Sequence, residues 1–536
     1  MRGVPRRLSR TLGAAVASVV AVGALSGVAA AQTTDGTARA IARVMDEPRY
    51  AHAHWGLLEL NPRTGRPTRS LQASKLFVPG SVAKLFVVST AWNTLGPGHR
   101  FVTPVYALGD RRGTTLDGTL VLQASGDLTL GGRTLPDGSV AFADVDHTYA
   151  NEVPGATLTA PDPLAGLDQI AQQVRAAGIT AIDGDVAIDD RLWAPDPILT
   201  SETPGLDPIM INDNVIDVQL RPTRPGEPAQ VLWRPQTAAI RVESQVTTGA
   251  REKAPGRFPF DWQLTQVAPD LVVASGTIPD NAGAQLLTAP VGDPPAFART
   301  ALIEALGRAG VTVTAPVVAA NPTWLLPPRN SYDPRSRVAE YRSPPYRQYA
   351  RLILKVSHNL GAQVSLCLLA VHVGSDDCQS GFGVERAFLR RARVDERQVA
   401  LADGDGGSPG DQVTPRATVQ LLRWWMRRPD FRTFQRSLPI LGVDGDLGLA
   451  GRHSPARGKV FAKTGSVAAP DFLNDRLVMV AKAMAGYLAG EHGRARPFAL
   501  FMNNAFFPSP PASVFVASAD LARIAALMQQ DEPGAP

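Results

Sequence analysis

The sequence predicts an α+β protein: an antiparallel sheet flanked by helices, interrupted by a long β-rich insertion. Three observations predict it. Apolar residues recur at helical spacing after Ser81, around 346–372 and again near the C-terminus. Late apolar runs at 458–464, 478–486 and 498–504 read as three strands, and a hairpin stands early in the chain. Between about 110 and 290, short apolar runs alternate instead with Gly, Asp and Pro turns. At 536 residues two or three domains are expected, and 44% hydrophobic with 19% charged residues is a globular composition.

In chain order, residues 1–31 read as a secretory signal. Arg2, Arg6, Arg7 and Arg10 precede an apolar run over about 12–25, and Ala29-Ala30-Ala31 gives a small-x-small cleavage pattern. The expected protein is therefore exported and periplasmic or otherwise extracytoplasmic, with cleavage near Ala31. The leader also accounts for most of the formal charge of +5, leaving about +1 on the rest, which argues against nucleic acid as a partner.

A first part of the main domain is expected over 32–109. Residues 55–60 read as a strand, Asn61-Pro62-Arg63-Thr64-Gly65 as a turn, and 68–72 as the returning strand. Val78-Pro79-Gly80 breaks the chain before Ser81. Leu85, Val88, Ala91, Trp92 and Leu95 then mark a buried helix with Ser81 in its first turn and Lys84 on the same face. The segment 110–290 is expected to form one or two inserted β-rich domains. The main domain resumes over 291–536, with helices at 296–309, from 346 and at 361–372, then the three strands, then a helix from Ser518 as N-cap to about 530. Cys367 and Cys378 have ten residues between them; export permits a disulfide, and two reduced cysteines are the alternative.

Three short motifs occur once each and in order: Ser81-Val82-Ala83-Lys84, Ser357-His358-Asn359 and Lys463-Thr464-Gly465. Of 54 Lys plus Arg only seven are Lys, and two of those lie in the motifs. Arg cannot give up its proton in a protein, whereas Lys can once burial or a neighbouring cation lowers its pKa. The set supplies a nucleophile with a base, a proton relay with an amide-binding group, and a cation for a carboxylate.

These motifs resemble those of the low-molecular-mass class C penicillin-binding proteins, the D-Ala-D-Ala carboxypeptidase/endopeptidase family. Gly184-Asp185-Val186 with Asp189-Asp190, and Ser275-Gly276-Thr277-Ile278-Pro279, are similar to that family's inserted region. Leu438-Pro439-Ile440 with Gly442-Val443-Asp444-Gly445 is similar to its approach to KTG. Asp403-Gly404-Asp405-Gly406-Gly407-Ser408 with Thr414-Pro415 is similar to its DGSGLS…TP segment, though it reads DGDGGS. The 276-residue gap from Ser81 to Ser357 also fits.

The resemblance implies a serine β-lactamase/transpeptidase-like domain and a serine D,D-peptidase acting on peptidoglycan stem peptides and acylated by β-lactams. Ser81 would attack the carbonyl between two D-alanines, with Lys84 as base. Ser357 would relay a proton to the departing amine and Asn359 would hold the substrate amide. Lys463 and Thr464 would bind the terminal carboxylate, and Gly465 and Ser466 belong to the same substrate-binding strand. The backbone N–H groups of Ser81 and Ser466 would form the oxyanion hole. No cofactor and no metal is expected, because His52 and His54 lack acidic or Cys partners at ligand spacing. His358 is expected to be a bystander, and Lys355 and Lys459 to be solvated. A β-lactamase or esterase of the same fold would use the same motifs. A wall-binding or β-lactam-sensing protein with a disabled site is the non-enzymatic alternative.

Overall fold

The computed structural model describes residues 35–254, 258–490, 493–507 and 512–531. The expected signal and its cleavage site lie outside them. A five-stranded antiparallel sheet runs in the order Val460–Asp471, Arg476–Ala489, Ala495–Phe507, His54–Leu60, Pro67–Leu71. Both ends of the chain therefore build one sheet, with His54 opposite Asn503 and Glu59 opposite Phe498.

Successive side chains of a strand face opposite ways, and here both faces are covered. Leu57, Leu500 and Met502 pack with Ile41, Val44, Leu521 and Ile524 of the helices Asp35–Met45 and Ala512–Gln530. Leu58, Ala499 and Phe501 face the other way, onto a core shared with the helices Lys84–Leu95, Tyr346–Lys355, Asn359–His372 and Pro415–Trp425. Two-sided burial explains why Arg476–Ala489 is nearly continuously apolar beyond Val478. The closing helix starts at Ala512, so Ser518 lies inside it and is not its N-cap. Cys367 and Cys378 are disulfide-bonded, with Cα atoms 4.1 Å apart, tying the helix Asn359–His372 to the short turn Cys378–Ser380.

A second core gathers residues from Val105 to Tyr341. Its main sheet is mixed, in the order Thr312–Val313, Ala181–Asp189, Thr115–Gln123, Val102–Arg112, Arg337–Arg342. The helices Ala165–Ala176 and Pro294–Arg308 pack on it, and two smaller sheets follow between Val215 and Pro290. The ends of this unit are tied together: Phe101 N–H donates to Ser343 Oγ at 2.8 Å, and Ser343 N–H to the Phe101 carbonyl at 3.0 Å. The helix Pro294–Arg308 and the strand Arg337–Arg342 thus belong to this second core. Among the described residues no helix is long and apolar enough to cross a membrane.

Candidate active site

Ser81 sits in a tight 3-10 turn, Gly80–Ala83, from which the α-helix Lys84–Leu95 continues. The turn presses against the KTG strand. A Cβ on Gly80, whose φ is +52°, would lie 2.7 Å from Ser466 N, and one on Gly465 would lie 2.1 Å from the Pro79 carbonyl oxygen. Only glycine permits this approach. It brings the backbone nitrogens of Ser81 and Ser466 to one place.

Lys84 is 0% exposed. Its Nζ donates at 2.7 Å to each of Ser81 Oγ, Asn359 Oδ1 and the Asp405 carbonyl. Burial pushes its pKa down to about 8, against the pull of the Asp405 carboxylate and with help from the Lys463 cation. The DGDGGS loop thus contributes a backbone carbonyl to Lys84. The loop is held by Asp403, whose carboxylate accepts from the N–H groups of Asp405, Gly406 and Ser408 at 2.9, 2.6 and 2.6 Å. The Asp405 side chain, where the related pattern has Ser, accepts from Gly407 N–H at 2.9 Å.

The SHN segment joins two helices through a left-handed residue, Ser357, at φ +62°. Its carbonyl accepts from the Tyr149 hydroxyl, while its own hydroxyl makes no hydrogen bond among the described residues. Asn359 Oδ1 accepts from Lys84 and, at 3.1 Å, from Tyr149. Its amide N–H groups have no protein acceptor among the described residues, leaving them free for a substrate carbonyl. His358 is fully buried and has structural partners. Its Nδ1 accepts from Gly361 N–H at 2.9 Å, capping the helix, and its Nε2 lies 3.1 Å from Asp213 Oδ1.

Lys463 is buried, and its Nζ donates to Asp446 Oδ2 and to the Thr464 carbonyl, both at 2.8 Å. The Thr464 hydroxyl donates to the same Asp446 oxygen at 2.6 Å. Burial lowers the pKa of Lys463, with Asp446 opposing. Ser466 is exposed, and its Oγ accepts from Lys482 at 2.6 Å.

The fold therefore joins Ser81, Lys84 and Asn359 in one hydrogen-bonded group, sets Gly465 and Ser466 against the Ser81 turn, and places Lys463 and Thr464 on Asp446. Sequence reasoning missed Tyr149, Asp446 and Lys482. Only Lys482 carried a signal, as one of seven lysines. Lys355 is buried, not solvated, donating to Asp444 and to the Leu438 carbonyl at 2.6 Å. Lys459, His52 and His54 are exposed. Asp146, Asp213 and His358 bring ligand atoms within 4.8 Å of one another. The Arg133 guanidinium already serves that group as its cation, 2.7 and 2.8 Å from the Asp146 oxygens and 2.6 Å from Asp213.

A family model described as the D-Ala-D-Ala carboxypeptidase 3 (S13) family matches residues 37–519. The chain is 26% identical over 498 residues to a D-alanyl-D-alanine carboxypeptidase of Actinomadura sp. (strain R39), covering 88% of this chain and 81% of that protein. Among solved structures it is similar to penicillin binding protein 4 of Haemophilus influenzae, with a TM-score of 0.66 at 18% identity, over 91% of this chain and 98% of that one. The same relative, complexed with a β-lactam, matches at 19% identity and the same TM-score of 0.66. At this identity the likeness is one of fold.

Proposed function

The chain belongs to the D-Ala-D-Ala carboxypeptidase 3 (S13) family, and from that premise we propose that it cleaves the D-Ala-D-Ala bond of peptidoglycan stem peptides through an acyl-enzyme on Ser81. The observation that carries this reading is the wholly buried Lys84 amine at 2.7 Å from both Ser81 Oγ and Asn359 Oδ1. A serine hydroxyl is a weak nucleophile until a neighbouring base takes its proton. A lysine with a pKa near 8 has a substantial neutral fraction at working pH, so it can take that proton and keep a hydrogen bond to the oxygen.

The oxyanion of the tetrahedral intermediate then meets the N–H groups of Ser81 and Ser466, at the positive end of the helix that follows. Asn359 donates to the penultimate carbonyl of the substrate. Ser357, whose hydroxyl makes no hydrogen bond among the described residues, would pass the proton to the departing D-Ala nitrogen. Water completes the cycle by hydrolysing the ester. A β-lactam supplies the same amide and carboxylate but keeps its leaving group tethered, so its acyl-enzyme persists. The leader reading places this work outside the cytoplasm.

Intact mass after incubation with benzylpenicillin tests the reading. A long-lived adduct mapping to Ser81, and its loss in Ser81→Ala, are expected. Lys84→Arg should be nearly as inactive as Lys84→Ala, since a guanidinium cannot accept the proton. An unmodified wild-type protein would sink the assignment, and rapid turnover of the antibiotic would favour a β-lactamase.

A further inference from the structure

Lys482 lies on the strand Arg476–Ala489, next to the KTG strand in the main sheet and in register with Ser466. It is 3% exposed. Its Nζ has one hydrogen-bond partner among the described residues, Ser466 Oγ at 2.6 Å, and no carboxylate pairs with it. A buried ammonium without a counter-charge is costly, and such groups are normally paired. Lys463, the cation expected to receive the substrate carboxylate, stands in the opposite condition. Its Nζ and the Thr464 hydroxyl both donate to Asp446 Oδ2, at 2.8 and 2.6 Å.

We propose that Lys482 is the charge of the substrate-carboxylate pocket and acts there through Ser466. The Lys482 N–H occupies a lone pair of Ser466 Oγ. The hydroxyl proton is thereby turned outward, towards the cleft, where Ser466 is exposed. A peptide ending in a free carboxylate meets a donor with a cation directly behind it, and chained hydrogen bonds of this kind strengthen one another. Burial also pushes the pKa of Lys482 down to about 8, with Asp446 opposing and Lys463 assisting. Lys482 is thus a positioning residue that selects for a free terminal carboxylate. This rests on the D,D-peptidase reading and adds to it.

The test measures binding with turnover blocked. In the Ser81→Ala protein, an acyl peptide ending in D-Ala-D-Ala and its C-terminal carboxamide are titrated by calorimetry. The acid should bind about tenfold or more tighter than the amide, the size of one hydrogen bond to a charged group. Adding Lys482→Met should bring that ratio to about one. Ser466→Ala should do the same, and combining the two should cost nothing further, as coupled residues require. Lys482→Gln, which keeps a polar group in the buried position, serves where the Met variant fails to fold. An unchanged acid-to-amide ratio in the lysine variants overturns the proposal, as does equal binding of acid and amide to the Ser81→Ala protein itself. Failure of the peptidase reading shows separately, as absence of a penicillin adduct on the wild-type enzyme.

Discussion

Lys84 lies in the field of Asp405, the residue that departs from the related DGSGLS pattern. Burial pushes the Asp405 carboxyl up to about 6 while the Lys84 cation pulls it down, so above that pH it is a carboxylate beside the base. Its charge favours the ammonium form of Lys84 and raises the lysine's pKa. The proposed general-base attack needs the amine, so kcat/KM should rise with pH through about 8, to which burial lowers Lys84. Replacing Asp405 by Asn removes the largest of the opposing charges, leaving Asp403 and Asp446, and should move that acid limb to lower pH. The β-lactam acylation rate measured across pH checks this, and a limb that stays in place would mean that the Asp405 carboxylate does not reach Lys84. The motif residues were legible because their chemistry is local to a few positions of a Lys-poor chain. Tyr149 was not, since its partners Ser357 and Asn359 lie 208 and 210 positions away and a lone Tyr carries no pattern.

The helix Lys84–Leu95 was readable from its apolar spacing, yet its first turn is 3-10 rather than α, because Gly80 must pass within touching distance of Ser466. The helix Asp35–Met45 went unread beside the leader, and the start of the closing helix was misplaced by taking Ser518 for a cap. Two element-scale predictions follow from contacts that spacing does not reveal. A Cβ at Gly465 would lie 2.1 Å from the Pro79 carbonyl, on backbone that has no rotamer to yield. Gly465→Ala should therefore push the strand from the Ser81 turn, and a displacement approaching 1 Å costs about 100-fold in kcat/KM. Steady-state kinetics beside a circular-dichroism check of folding would show it, and near-normal activity would mean that the strand and turn can separate freely. Tyr149 bridges the left-handed Ser357 and the amide of Asn359. Tyr149→Phe keeps the ring and removes both hydrogen bonds, so acylation should slow about tenfold, the worth of roughly one such bond. Unaltered acylation kinetics would leave Tyr149 as packing alone.

At the scale of the whole molecule, the unit around the second core is tied to the SHN segment by more than its two paired ends. Arg133, Asp146 and His147, together with Asp213 and Asp217, form a buried charged cluster that reaches His358 in the middle of the SHN motif. Arg234 joins it through Asp217 at 3.0 Å. The balance is three carboxylates against Arg133, Arg234 and a His147 held protonated: burial lowers its pKa, but Asp217 and the other carboxylates outweigh that and raise it to about 10. Burial pushes Asp213 up, yet Arg133 and His358 outweigh it and hold its carboxyl well below the usual range. Sequence could not show this cluster, because its members are spread between residues 133 and 358 with only Asp146 and His147 adjacent, and each alone reads as a solvated charge. Arg133 is the cation shared by Asp146 and Asp213, so Arg133→Met should leave two buried carboxylates short of a partner and cost about 3–5 kcal/mol at neutral pH. The sign with pH follows. In the wild-type protein, carboxylates depressed on folding stabilise it above their unfolded pKa, and that stability is lost as pH falls through the folded value. In the variant the same carboxyls should have raised pKa values and recover stability by taking up a proton as pH falls. The gap between the two proteins should therefore narrow from pH 7 towards pH 4, a trend that denaturant melts at several pH values would register. A gap independent of pH would show that Arg133 acts by filling space, and that this cluster holds the SHN turn through shape rather than charge.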